Sequence, residues 1–90
     1  NVPDKFALNQ NYPNPFNPST KISFSLAKAG PVRLSVFDIT GKEVSVLVNS
    51  TMSAGNFEFT FDGSKLSSGV YLYRIITNDF VDTKVMSLVK

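Results

Sequence analysis

Seven carboxylates, Asp4, Asp38, Glu43, Glu58, Asp62, Asp79 and Asp82, are the first candidates for general acid–base chemistry in this 90-residue chain, which contains neither histidine nor cysteine. No two of them have a spacing that would by itself set up an acid and a base, and solvated strand faces and turns account for them. Ser64 beside Lys65 has the composition of a serine–lysine dyad, but neighbours on an extended segment point apart, so a turn is the better reading. Without Cys or His there is no thiolate nucleophile, no disulfide framework and none of the usual zinc ligand sets. Asp79 and Asp82 flank a turn and Asp62-Gly63-Ser64 forms a loop, oxygen ligands of the type calcium takes. The twelve-residue calcium-loop signature is missing, so we expect no catalytic residue, no metal site and no cofactor.

The remaining binding chemistries fare little better. Gly30, Gly41, Gly55, Gly63 and Gly69 fall one per loop, which offers no phosphate cradle and predicts positive φ in turns. Nine basic residues give a net charge of +2 but are scattered, leaving no footprint for nucleic acid. Asn49-Ser50-Thr51 matches the glycosylation sequon, a short match open to chance. Tyr71 and Tyr73, or an exposed part of the segment carrying Tyr12 and Phe16, would suit an aromatic platform for sugars, although strand spacing favours core packing for them.

The elements that hold these groups read as strands throughout. Residues 9–20 contain three prolines, each fixing φ and pushing its predecessor out of the helical region, so residues 1–20 form an extended strap. Tyr12 and Phe16 within it are expected to fold back onto the core. From Lys21 onward apolar residues alternate with polar ones: Ile22, Phe24 and Leu26; Val32, Leu34 and Val36; Val44, Val46 and Val48; Phe57, Phe59 and Phe61; Tyr71, Tyr73 and Ile75. Polar or glycine-bearing stretches separate them, including 49–55, and Asn78-Asp79 turns into a last strand from Phe80 to Val89.

With a short strand near Phe6 to Leu8, these runs predict an all-β, immunoglobulin-like antiparallel β-sandwich of about seven strands, a single domain over residues 1–90. A chain this short closes one core only, and its eight Phe and three Tyr supply the buried area that disulfides supply in other small domains. No apolar run approaches the roughly 18 residues of a membrane-spanning segment, and the first residues lack the order of a signal peptide, so an export signal is expected upstream.

Four ordered segments carry a resemblance: Leu8 to Thr20 (LNQNYPNPFNPST), Val36 to Glu43-Val44 (VFDITGKEV), Leu66 to Arg74 (LSSGVYLYR) and Lys84 to Lys90 (KVMSLVK). Together they resemble the type A C-terminal sorting domain of the type IX (Por) secretion system of Bacteroidetes, which is similar in turn to the Ig-like domain of the flagellar hook-capping protein. The resemblance implies a cargo address at the extreme C-terminus of a secreted protein, a placement that a chain ending at Lys90 fits. Its partners would be an upstream cargo domain, the type IX translocon and a sortase-like peptidase, on a route through the periplasm to the cell surface or medium.

Position by position, Gly69, Val70 and Tyr71 and the terminal Lys84, Met86, Leu88 and Lys90 fall on the motifs associated with sorting. Val85 departs from the basic residue common there and Ser87 from the usual aliphatic. A last strand at a sheet edge would offer unpaired backbone groups to a receptor, with its lysines discouraging indiscriminate pairing. The alternative is a permanent accessory module that binds carbohydrate or supports a secreted enzyme.

Overall fold

A computed structural model describes residues 3–90. Asn1 and Val2, at the start of the expected strap, lie outside the described residues. The strands are β1 (Ala7–Leu8), β2 (Ser19–Leu26), β3 (Gly30–Asp38), β4 (Glu43–Met52), β5 (Gly55–Asp62), β6 (Gly69–Ile76) and β7 (Val81–Leu88), and no helix occurs among the described residues. They form two antiparallel sheets, β1-β2-β5 and β4-β3-β6-β7, which face each other as the Ig-like sandwich that the alternation predicts.

The period-two pattern becomes the core directly. Ile22, Phe24 and Leu26 from one sheet meet Leu34, Val36, Tyr73, Ile75, Met86 and Leu88 from the other, all of them buried. Phe24 stacks on Phe57 and Phe59, with ring centroids 5.7 and 5.8 Å apart. Phe57 and Phe59 are only half-buried because β5 is an edge strand with no neighbour on its outer side.

The valine pattern of β4 does not hold, and the register explains it. Leu34 pairs with Val48 but Ser35 with Val46, and Val36 pairs with Ser45 but Phe37 with Glu43. Leu47 and Val44 are therefore extra residues, each a bulge that reverses the alternation. Val48 points into the core, while Val46 sits opposite Ser35 and is exposed. The polar stretch after it is not a loop either: Thr51 and Met52 still pair with Pro31 and Gly30, so only Ser53 and Ala54 separate β4 from β5.

Two glycine expectations also need correction, since positive φ occurs at Gly41, Gly55 and Gly69 but at neither Gly30 nor Gly63. Gly63 is required for close approach instead: a Cβ there would lie 3.2 Å from Leu88 and from the Phe16 ring. At Gly69 a φ of 155° opens β6 in a conformation that side chains rarely adopt.

The N-terminal strap splits its two aromatics. Phe16 is 1% exposed and meets Phe61 edge-on at 6.1 Å, whereas Tyr12 is 79% exposed and contributes no core packing. Tyr12 gives its backbone instead, exchanging two hydrogen bonds with Lys21 of β2 (3.0 and 2.9 Å).

Candidate functional site

The two segments singled out near the C-terminus become neighbours on adjacent strands. Gly69, Val70 and Tyr71 open β6 opposite Leu88, Ser87 and Met86 of β7, so residues distant in sequence form one contiguous surface. Pleating divides their side chains between the two faces. Tyr71, Met86 and Leu88 are buried, and the Tyr71 hydroxyl donates to the Ser67 carbonyl at 2.8 Å. Val70 and Lys90 are exposed, Gly69 presents bare backbone, and Lys84 is half-buried opposite Tyr73 on the inward row. The folded domain thus leaves Gly69, Val70 and Lys90 open to solvent and Lys84 partly so, while Tyr71, Met86 and Leu88 pack beneath them.

The lysine at position 90 is held in place. Its backbone N–H donates to Ser68 Oγ at 3.1 Å and its ammonium to the Ser64 carbonyl at 2.7 Å, tying the end of the chain to the turn before β6. That same turn is organised by Asp62, whose carboxylate accepts the Ser64 N–H at 2.9 Å. This bond holds the Asp62 carboxyl below its ordinary value, and Lys65 and Lys90 add to the effect.

β7 lies at a sheet edge as expected, but its backbone is not open over the sorting segment. The Gln10 amide donates to the Val85 carbonyl (2.7 Å) and Asn14 Oδ1 accepts the Ser87 N–H (3.0 Å). Phe16 completes the cover by donating to the Ser87 carbonyl and accepting from Val89, both at 2.9 Å. The strap thus occupies the hydrogen-bonding groups that a receptor strand would need, correcting the expectation of a free edge there.

Beneath this cover is a buried polar network that patterning did not reveal. The Tyr73 hydroxyl accepts the Asn11 backbone N–H at 2.7 Å and donates to the Asn9 carbonyl at 2.6 Å. Asn11 Nδ2 donates to Thr20 Oγ1 and to the Pro13 carbonyl, which the Thr20 hydroxyl also reaches. Burial pushes the Tyr73 hydroxyl up to about 12, with the Asn11 bond opposing. The one available signal was the density of Asn and Gln among the prolines of the strap, side chains able to satisfy backbone groups where proline removes a donor.

Among the described residues no three His, Cys, Asp or Glu side chains gather into a metal-binding group, and no helix is long and apolar enough to cross a membrane. Tyr71 and Tyr73 are buried, which removes them as a sugar-stacking platform.

The β3–β4 loop, within the second resembling segment, is fixed by a single carboxylate. Asp38 Oδ1 accepts the backbone N–H groups of Thr40 (2.9 Å) and Lys42 (3.0 Å) as well as the Thr40 hydroxyl. The Thr40 hydroxyl bond, followed by the Lys42 amide, lowers the Asp38 carboxyl from its ordinary value of 3.8. A depressed carboxyl stabilises the fold above that value, and the contribution is lost as pH falls below it. In urea titrations between about pH 5 and pH 2, Asp38→Asn is expected to lose less stability with acid than the parent chain. Parallel curves would refute this assignment.

What the fold and surface define is a small Ig-like module whose distinguishing feature is the paired β6–β7 surface. The chain belongs to the family of secretion system C-terminal sorting domains, whose model matches residues 10–89. Solved structures agree on the fold. Dimeric latent PorU from Porphyromonas gingivalis matches with a TM-score of 0.69 at 24% identity, over 91% of this chain and 9% of that one. PorZ, an essential surface component of the type IX secretion system of the same organism, matches with a TM-score of 0.56 at 17% identity, over 97% and 12%. The chain thus spans about a tenth of the length of each of these proteins. No curated protein matches it.

Proposed function

We propose that residues 1–90 act as one sorting unit, read in the folded state by the type IX translocon through the exposed Gly69, Val70 and Lys90 of the β6–β7 surface and the half-buried Lys84. Membership of the family makes the chain a C-terminal sorting domain for type IX secretion, which carries its parent across the outer membrane to the surface. The observation that supports a folded-state reading is the register of β6 on β7, which joins Gly69-Val70-Tyr71 to the terminal segment only when the sheet is formed. Tyr71, Met86 and Leu88 then serve recognition indirectly, as the packed floor of that surface. In this reading the domain folds in the periplasm, delivers an upstream cargo domain, and is removed by a sortase-like peptidase.

The test fuses residues 1–90 to a periplasmic reporter in a host with a working type IX system. The parent fusion is expected at the cell surface, and the double variant Val70→Asp, Lys90→Glu is expected to stay inside while unfolding at the same temperature. A double variant exported like the parent would remove these residues from recognition, and a parent fusion that never leaves the periplasm would reject the sorting unit itself.

A further inference from the structure

A two-sheet sandwich of this order has four strand edges, on β1, β7, β4 and β5. An uncovered edge is a row of unpaired N–H and C=O groups, and proteins blunt such rows with short strands, covering segments, bulges, prolines or charged side chains, lysine above all. Three of the four edges carry a recognisable device. β1 has two residues, β7 is covered by Gln10, Asn14 and Phe16, and β4 is broken by the bulges at Val44 and Leu47.

Of these devices β5 carries only charge, in the carboxylates Glu58 and Asp62, which repel acidic strands and leave the edge open to basic ones. Its eight residues, Gly55–Asp62, contain no proline and no lysine and pair with β2 residue for residue without a register shift. Among the described residues no backbone hydrogen bond from a loop reaches its strand positions from the outer side. Its inward row is apolar, with Phe57 and Phe59 half-buried beside the open flank of the core. Its outward row is Asn56, Glu58, Thr60 and Asp62, so every charge on the strand is negative.

We propose that the β5 edge is a docking site for an extended segment of another polypeptide in which apolar residues alternate with basic ones. Such a segment would continue the β1-β2-β5 sheet. Its apolar side chains would lie against Phe57 and Phe59, and its basic side chains directly across from Glu58 and Asp62, where opposite charges on paired strands attract. Lys21 approaches Glu58 only at 3.8 Å, from the neighbouring strand and with both side chains mostly exposed, leaving the outer side of that carboxylate accessible. A second copy of the chain fits worse, because pairing β5 with itself places Glu58 and Asp62 of both copies along one strip, and like charges there repel. The inference depends on the fold alone and goes beyond the sorting reading, so failure of one leaves the other standing.

The test uses the isotope-labelled domain and two synthetic peptides of β5's length, eight residues, one alternating valine with lysine and the other valine with glutamate. Amide exchange and chemical-shift changes are followed on adding either peptide up to about 1 mM, the weak end of specific affinities. The lysine peptide is expected to slow exchange at every second amide of residues 55–62 and to bind about fivefold more weakly to Glu58→Lys, as removal of one favourable cross-strand pair implies. Glu58→Lys changes an exposed side chain, and unaltered protection of β3 and β6 confirms that it is folded. Protection on β4 or β7 instead, equal binding of the glutamate peptide, no protection of β5 at all, or self-association of the domain through β5 would each overturn the proposal.

Discussion

Phe16→Ala is expected to destabilise the domain by about 3–5 kcal/mol, the usual result of truncating a fully buried aromatic. For a domain of this size that shifts the thermal midpoint by about 12 °C or more. Total stability here is on the order of 5–13 kcal/mol, so this change takes a large share of it. The ring is 1% exposed, rests edge-on against Phe61, and fills the space that Gly63 leaves by having no side chain. Its backbone meanwhile clamps Ser87 and Val89, so the loss of the ring also loosens the cover on β7. Urea denaturation with hydrogen exchange on β7 measures both effects, and Tyr12→Ala, which removes an exposed ring, is the matched control. A loss below about 1 kcal/mol at Phe16, the level of an ordinary surface change, would show that the strap is not anchored there.

Tyr73→Phe is expected to cost about 1–3 kcal/mol, because the Asn11 N–H and Asn9 carbonyl lose their shared partner inside the protein. The pH dependence gives a second signature. The hydroxyl titrates at about 12 in the fold against an ordinary 10.0. Its contribution is therefore fully present below pH 10, where both folded and unfolded forms keep the proton, and is lost as pH rises through 12, because only the unfolded chain releases the proton easily. The parent chain should weaken between those two values more steeply than the variant, as read by denaturant midpoints. Equal alkaline slopes would place the hydroxyl in water.

The sheets were legible because period-two alternation is a direct consequence of strand geometry, and four of the five alternating runs bury the residues that it nominates wholly or in part. β4 was misread because a bulge inserts one residue without any mark in composition, and Val44 and Leu47 look like ordinary strand residues. The fate of Tyr12 against Phe16 was equally hidden, since both are large aromatics between prolines and only the tertiary path decides which one turns inward. The sorting segments were recognisable as sequence, but the division of their members between buried and exposed came from the pleat. Asn11 and Thr20 escaped notice because buried hydrogen bonding couples residues 62 positions apart, such as Asn11 and Tyr73, and no local pattern records it.

The bridge between the strap and β7 at Phe16 and Leu88 is parallel, alone among the backbone pairings of the described residues. A load that pulls the strap by its N-terminal end and β7 by its C-terminal end therefore strains the bonds of Phe16 to Ser87 and Val89 lengthwise and together, where an antiparallel hairpin would peel open one bond at a time. Traction from the N-terminal side first draws on the β1–β2 pairs and the Tyr12–Lys21 bridge and then meets a mechanical latch, a seam whose two bonds must rupture as a unit.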